Sequence, residues 1–597
     1  MNLQGLFGRK NLSGDTISKF STLFLVYSIF ILCTYVLFQF IKVNEFPLAY
    51  SLFKISTLFF GIFSIGYAIF LLFHQTMIWM RILQLGLLLI TVAYLVVSIQ
   101  WNLKQDWIDV YENQFILVFA FATAFLSLSH KLNSIGTSGI HPAILFVLSF
   151  VVLISLSSFV LCLPISTVNG IKVLDAVFTA TSAATVTGLA VLDTQTEFTM
   201  FGKIVILSTI QLGGLGVLTF TNLFSLLFKS STSFKNHLIL GSMINENNSG
   251  KAFKTLTRLI GISLLIEAIG ALLIYFSILN DPIKGSKTFF AIFHSISAFC
   301  NAGFSTLSQG LFDESIRSNY ELQCIIMWLI ITGGIGYNIM INHFSIIKSL
   351  SLKMLCRFNV IDKKHFRYRR NFELNSYLVL TTTATLLVIG AIGFYFLERN
   401  GVLAGQSTTG TIVSTMFNSV TPRTAGFNNI DMSLLAPPTL LFIIILMWIG
   451  ASPGSTGGGI KTSTFAISML NLLNQIRGKD NTVVRWRLIS RQAVNQVNAT
   501  ILLSVTGITV LSFFMAVYEP KIDYVDALFE VVSAFSTVGL SVGITPSLGI
   551  EGKVIIIIAM FLGRVSFLTF LIGIYRQVFG ESKRANVYYP DENVFIS

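Results

Sequence analysis

Charge is what this chain has least of: 11% of its 597 residues are Asp, Glu, Lys or Arg, against about 25% in an ordinary soluble protein. A water-soluble globule of this length is thereby excluded. Cysteine is also sparse. The five cysteines lie in or beside apolar stretches or, for Cys356, in a basic loop. They show neither a disulfide framework nor zinc-ligand spacing. No Rossmann fingerprint occurs in the chain, so no nucleotide-binding domain is expected within it. The apolar stretches hold no His/Asp/Glu cluster, which argues against a membrane enzyme. His294 is solitary in a short apolar stretch and reads as a hydrogen-bonded packing residue. The first apolar stretch is about 22 residues, too long for a typical signal core, and no small-residue cleavage site stands out. It is expected to be retained as a membrane helix.

What is abundant is hydrophobicity, 53% of the chain, gathered into runs such as 20–42, 50–73, 82–100 and 142–162. Each is near the roughly 20 residues that cross a hydrocarbon core. The fold class is therefore an all-α polytopic membrane protein. The net charge of +13 does not indicate nucleic acid, because the cations fall in a few loops between apolar runs. Arg9, Lys10 and Lys19 precede the first run. Others cluster at 229–258, 348–373 and 477–491, and Arg576, Lys583 and Arg584 follow the last. That distribution is the positive-inside pattern. It places both termini in the cytoplasm and predicts twelve full spans in a multi-pass protein embedded in lipid.

Two regions follow. Residues 1–135 hold four apolar runs, an N-terminal four-helix membrane region. Beyond them a long apolar run, a short one of about 12 residues, a Gly-containing tetrapeptide and another long run succeed one another four times, over 136–230, 251–350, 374–475 and 492–580, before a tail at 581–597. The short runs end in "TATSAATVTGL", "HSISAFCNAGF", "MFNSVTPRTAGF" and "FEVVSAFSTVGL", and their glycines, Gly188, Gly303, Gly426 and Gly539, are 115, 123 and 113 residues apart. Ten residues before the glycine lies Phe178, Phe293 or Phe529, and six before it Ser182, Ser297 or Ser533. The third copy fits loosely, with Phe417 and Ser419 each displaced by one.

A 12-residue helix is about 18 Å long and reaches about halfway through a 30 Å core. Irregular backbone at that depth needs protein or a water-filled cavity around it. Four helix–pore-loop–helix repeats around a central pore meet that need. A dehydrating cation can be coordinated by rings of backbone carbonyls, and glycine offers both the backbone angles and the absence of a side chain. The filter candidates are Thr185, Val186, Thr187 and Gly188; Cys300, Asn301, Ala302 and Gly303; Thr424, Ala425 and Gly426; and Ser536, Thr537, Val538 and Gly539. None is a carboxylate, so carbonyls and not a charged ring are expected to coordinate. The short helices end there, with their negative dipole ends toward the ion path. Glycines in "GGLG" (Gly213, Gly214, Gly216) and "GGIG" (Gly333, Gly334, Gly336) sit within long runs and read as close-packing positions.

The stretch Gly450–Lys461, "GASPGSTGGGIK", cannot hold a regular helix and interrupts a long run. It is expected to be unwound beside an aqueous cavity. Its faint likeness to a phosphate loop fails, since Ile460 separates Gly459 from Lys461 and a membrane helix, not a strand, precedes it. Arg564 lies deep in an apolar run, where a charge costs at least about 2.5–3.5 kcal/mol. It is expected to face the pore, with capture by neighbouring carbonyls as the alternative. A secondary transporter is a competing class, but it would need a midplane solute pocket and usually inverted repeats. These repeats each contain two full spans and all run in the same direction.

The motifs "TATSAATVTGL", "HSISAFCNAGFS", "TPRTAGFN", "GASPGSTGGGIKTST" and "FLGR", in this order over about 136–580, resemble the Trk/Ktr/HKT family of potassium uptake proteins, the bacterial Ktr- and Trk-type membrane subunits most of all. The resemblance implies potassium uptake across the cytoplasmic membrane, with K+ as the ion at the filter. Sodium coupling or sodium permeation stays open beside it. It implies no cofactor in this chain, assembly as a homodimer, and a cytoplasmic RCK/KTN-type nucleotide-binding regulatory subunit as partner. It makes Gly454, Ser455, Thr456, Gly457, Gly458, Gly459 and Lys461 part of an intramembrane gate loop, with Arg564 beside it, while snorkelling of Lys461 to the cytoplasm stays open as the alternative to gating. Sodium-selective plant members carry Ser at the first filter glycine, where this chain has Gly188. The chain departs from the family pattern at Cys300, where bacterial members usually have Asn, at Ser536, where Gly is common, and after Arg564, where a Pro is often seen.

Overall fold

The computed structural model describes residues 142–216, 252–342 except 284, 338 and 341, 374–565 except 480, and residues 571 and 575. The expected N-terminal four-helix region, most of the basic loop at 229–258, the whole of that at 348–373, and the C-terminal tail lie outside the described residues.

The regular structure of the described residues is helical apart from isolated bridges and a hairpin of two-residue strands, β1 Val483–Val484 with β2 Arg487–Leu488. The helices come in a recurring order of a first helix, a short helix and a closing helix. In order they are α1 Pro142–Leu161, α2 Val173–Thr185 and α3 Met200–Leu215; then α4 Ala252–Ser277, α5 Lys287–Phe299 and α6 Tyr320–Ile335. Next come α7 Leu374–Glu398, α8 Thr408–Val420, α9 Pro437–Trp448 and an additional α10 Thr462–Ile476. The last are α11 Arg491–Tyr518, α12 Tyr524–Phe535 and α13 Ile550–Val565. Polar caps mark where several begin: Thr199, Ser286, Asn319, Ser407 and Ser490 each accept a backbone N–H two or three residues into the helix that follows. This satisfies donors that a helix start otherwise leaves open.

Among the described residues three segments are long and apolar enough to cross a membrane: Arg258–Ser277 of α4, Leu374–Glu398 and Arg491–Tyr518. Only about a third of each is covered by the rest of the chain. A helix apolar around most of its circumference and largely uncovered is suited to a lipid environment. The closing helices are shorter. α3 and α6 stop at Gly216 and Gly336, with φ of 84° and 90°, a conformation only glycine enters cheaply. α9 stops at Trp448, and the glycine-rich stretch expected to be irregular separates it from α10.

Each short helix packs between the first and closing helices of its own set in the first, second and fourth sets. Each also meets the closing helix of another set: α3 lies on α5, α6 on α8, α9 on α12, and α13 on α2. The order is cyclic, so the last set docks on the first. The ion pair of Lys553 Nζ with Asp175 Oδ1, at 2.6 Å, joins α13 to α2 at that seam. Phe178, Phe293, Phe417 and Phe529, one per short helix, are fully buried and anchor the core. The closest packing uses the glycines of the closing helices. A methyl added at Gly213 would strike the Ala184 carbonyl, one at Gly333 the Phe299 carbonyl, and one at Gly563 the Phe535 carbonyl. The packing reading is thus matched at Gly213 and Gly333, and also at Gly214, where a methyl would meet Cys300 Sγ, and at Gly336, where it would meet Ser452 Oγ; Gly216 and Gly336 in addition end helices.

Candidate functional site

The four short helices end alike. Past the last turn the chain folds back through a hydrogen bond five residues long: Thr187 N to Ser182 O at 2.8 Å, Ala302 N to Ser297 O at 2.7 Å, Val538 N to Ser533 O at 2.8 Å. In the third set the bond spans four residues, from Ala425 N to Thr421 O at 3.0 Å. One residue is missing there. The counterpart of Ser182, Ser297 and Ser533 is accordingly Thr421. Its hydroxyl donates to Phe427 O, as Ser297 donates to Phe304 O at 2.8 Å. Ser419, which the sequence pattern suggested, instead donates to Leu387 O on α7 at 2.6 Å, as Ser295 does to Glu267 O on α4.

Two residues before each glycine the backbone is left-handed: φ is 59° at Val186, 59° at Asn301, 66° at Thr424 and 51° at Thr537. Left-handed β-branched residues are rare. Each glycine again has positive φ, at 97°, 69°, 75° and 90° from Gly188 to Gly539, so the sign alternates along each loop. The four glycines face one another. A methyl at Gly188 would strike Ala302 O, at Gly303 it would come 2.9 Å from Ala425 O, at Gly426 it would strike Val538 O, and at Gly539 Thr187 O. Each glycine is overhung by the carbonyl preceding the next one, in the same cyclic order as the helices. All four line one vestibule of about 280 Å3, with Asp193, Ser305, Ser308, Asn428 and Ser541 among its other walls.

The structure therefore brings the filter candidates together. Thr185, Val186, Thr187, Cys300, Asn301, Ala302, Thr424, Ala425, Ser536, Thr537 and Val538 are all buried. Thr185 and Thr187 share a hydroxyl hydrogen bond of 2.8 Å. Cys300 Sγ points away from the ring, toward Gln211 Oε1 at 3.7 Å and Glu267 Oε1 at 3.9 Å. The buried carbonyl-rich ring contains no carboxylate, and no cluster of three or more His, Cys, Asp or Glu occurs among the described residues. Such a set of neutral oxygens suits a weakly held monovalent cation and not a resident divalent metal.

Directly beneath lies the glycine-rich stretch. A methyl at Gly457 would meet Thr424 Oγ1, and one at Gly458 would meet Thr537 Oγ1. These two glycines let the stretch touch the base of two loops. Gly454 has φ of 73° and Gly459 of 67°. Ser455 Oγ donates to Ser452 O at 2.7 Å, and Thr456 Oγ1 reaches Phe299 O at 3.3 Å. Both cations expected here meet its carbonyls. Lys461 Nζ donates to Gly457 O at 2.6 Å. Arg564, half-buried, donates to Thr456 O and to Gly213 O, the latter at 2.6 Å. The carbonyl alternative for Arg564 thus describes its contacts, and those contacts tie the irregular stretch to α13 and α3.

The reading of His294 as a hydrogen-bonded packing residue is matched, and it belongs to a set of polar ties whose other members the sequence reading missed. Behind the outer wall, His294 Nε2 meets Ser305 Oγ at 2.9 Å while its Nδ1 meets Phe290 O at 2.9 Å. Asn418 Nδ2 donates to Asn429 Oδ1 at 2.9 Å, and Glu530 accepts from Ser541 and Thr545. Each holds the chain just past a glycine. The signal was present: a polar residue, Thr179, His294 or Glu530, stands nine before the glycine, and Asn418 eight before in the shortened set.

Comparison with known proteins gives concordant results. The family model for TrkH, described as a cation transport protein, matches residues 163–579. Ktr system potassium uptake protein B of Bacillus subtilis is 35% identical over 458 residues, 76% of this chain and 96% of that protein. Potassium/sodium uptake protein NtpJ of Enterococcus hirae is 32% identical over 465 residues, 76% of this chain and 97% of that protein. Among solved structures, the potassium transporter TrkH of Vibrio parahaemolyticus superposes with a TM-score of 0.58 at 18% identity, over 83% of this chain and 97% of that one.

Proposed function

Because this chain belongs to the TrkH family of cation transport proteins, we propose that it is a membrane-embedded potassium uptake subunit whose filter is the ring around Gly188, Gly303, Gly426 and Gly539. The carrying observation is that ring: four buried loops whose alternating backbone turns a carbonyl over each glycine in cyclic order. Four carbonyl-lined loops around one path can replace the hydration shell of a monovalent cation, and the vestibule gives it an aqueous approach. In this reading the four sets of helices are pore repeats. The stretch Gly454–Lys461 is the gate, since it lies against Thr424 and Thr537, and Arg564 holds it in place. Both termini and the basic loops face the cytoplasm. A separate nucleotide-binding subunit acts on those loops, and two copies of the chain assemble. Sodium as a second permeant ion is favoured by the relative named for both potassium and sodium.

Uptake of this kind needs only membrane potential. One charge moving through 100 mV gains about 2.3 kcal/mol, roughly a 50-fold accumulation. Purified protein in liposomes under an imposed inside-negative potential is expected to accumulate potassium, with sodium measured alongside. Liposomes that pass no potassium under that potential would refute the proposal.

A further inference from the structure

Glu530 is fully buried in the fourth short helix, α12. Both its oxygens are occupied by donors from the chain just past Gly539: Oε1 accepts from Ser541 Oγ, and Oε2 from Thr545 Oγ1 at 3.0 Å. Ser541 Oγ in turn accepts from Gly543 N at 2.9 Å. Donors on both oxygens can satisfy an ionised carboxylate, which only accepts. No Lys or Arg forms an ion pair with it among the described residues. Ser541 also lines the vestibule into which the four glycines open, so one side chain separates the carboxylate from the ion approach.

The other sets show that holding this wall requires no charge. At the equivalent position His294 fixes Ser305, and Asn418 fixes Asn429, with neutral groups. Burying a carboxylate where an amide suffices is costly, and with no ion pair to it among the described residues, an ion in the vestibule is a positive charge that could offset that cost. Resting on the potassium reading above, we propose that Glu530 sets cation affinity at the outer mouth. Its negative charge acts through the Ser541 wall on the arriving ion, while the carbonyl ring chooses between ions. The two tasks are separable because a charge about 10 Å away attracts potassium and sodium alike. At an effective dielectric near 20 that attraction changes affinity roughly tenfold.

The test is potential-driven uptake by the full-length protein in liposomes, with KM, maximum rate and potassium-to-sodium preference read for each variant. Glu530→Gln, which keeps the shape and loses the charge, is expected to raise KM for potassium and for sodium roughly tenfold and to leave preference and maximum rate in place. Glu530→Asp and Glu530→Asn are of one length and differ in charge. Their KM values should differ in the same direction, with Asp nearer the wild type. Thr545→Val removes one donor and keeps the charge, and KM should stay within about twofold. A Gln or Asn variant with wild-type KM overturns the inference, as does a Gln variant that changes preference, since either result makes Glu530 a structural tie. Should Gln fail to reach the membrane, the Asp and Asn pair decides. If the wild type itself passes no potassium, the functional reading fails instead, a result distinct from any of these.

Discussion

At the scale of single residues, the structure separates positions that shape the ring from one that holds what lies beneath it. Gly188 has φ of 97° and its missing side chain is the space occupied by Ala302 O. Gly188→Ser would strain the backbone and displace that carbonyl. Potassium preference over sodium is expected to fall several-fold toward parity, because it rests on the placement of oxygens, while flux persists. Arg564→Gln shortens the side chain that spans Thr456 O and Gly213 O and removes a positive charge. A charge about 6 Å from a cation raises its energy by roughly 3 kcal/mol at an effective dielectric of 20, so flux should rise severalfold with preference unchanged. One uptake assay run in potassium and in sodium reads both; a preference that survives at Gly188→Ser but shifts at Arg564→Gln would reverse the assignments. The glycines were legible in sequence because their requirement is local, a positive φ with no room for a methyl. Thr421 was not legible. Its equivalence to Ser182 depends on a one-residue deletion that is visible only in the hydrogen bond from Ala425 N to Thr421 O.

At the scale of elements, the short helices are held by backbone contact with the closing helices. Gly213 against Ala184 and Gly333 against Phe299 leave no space for a side chain. Inserting bulk into such a contact typically costs about 1–3 kcal/mol, and here the obstacle is a carbonyl at the end of a short helix, which cannot rotate away. Gly333→Val is therefore expected to lower the thermal midpoint in detergent by several degrees and to reduce flux along with it. A variant with unchanged midpoint would mean that α6 and α5 can separate freely. Packing glycines in "GGLG" and "GGIG" could be read from the sequence, because small residues at helix contacts leave a recognisable spacing. The second task of the last glycine could not: at 216 and 336 it also ends the helix with positive φ, and at 336 it does so while packed against Ser452. The recurring polar position that holds His294, Asn418 and Glu530 was legible, but their partners beyond each glycine were not, since each tie uses a different chemical group.

At the scale of the whole molecule, the cyclic order closes where α13 meets α2, and Lys553–Asp175 bridges residues 378 apart in sequence. No periodicity could have announced that pair. Both side chains are mostly covered, at 14% and 10% exposure, and breaking a buried pair by removing one partner costs about 3–5 kcal/mol. Asp175→Asn should lower the unfolding midpoint, and Asp175→Asn with Lys553→Met should lose less than the two single changes summed; strict additivity would show that the pair contributes nothing to closing the seam. The unequal third set carries a wider consequence. In an assembly of identical subunits, symmetry copies every change into each subunit, so no wall can differ from its neighbours. Here four walls are encoded separately in one polypeptide. One could shed a residue and gain the glycine-rich stretch between α9 and α10, and another could carry a buried carboxylate, while the other quarters kept the ring closed at every step.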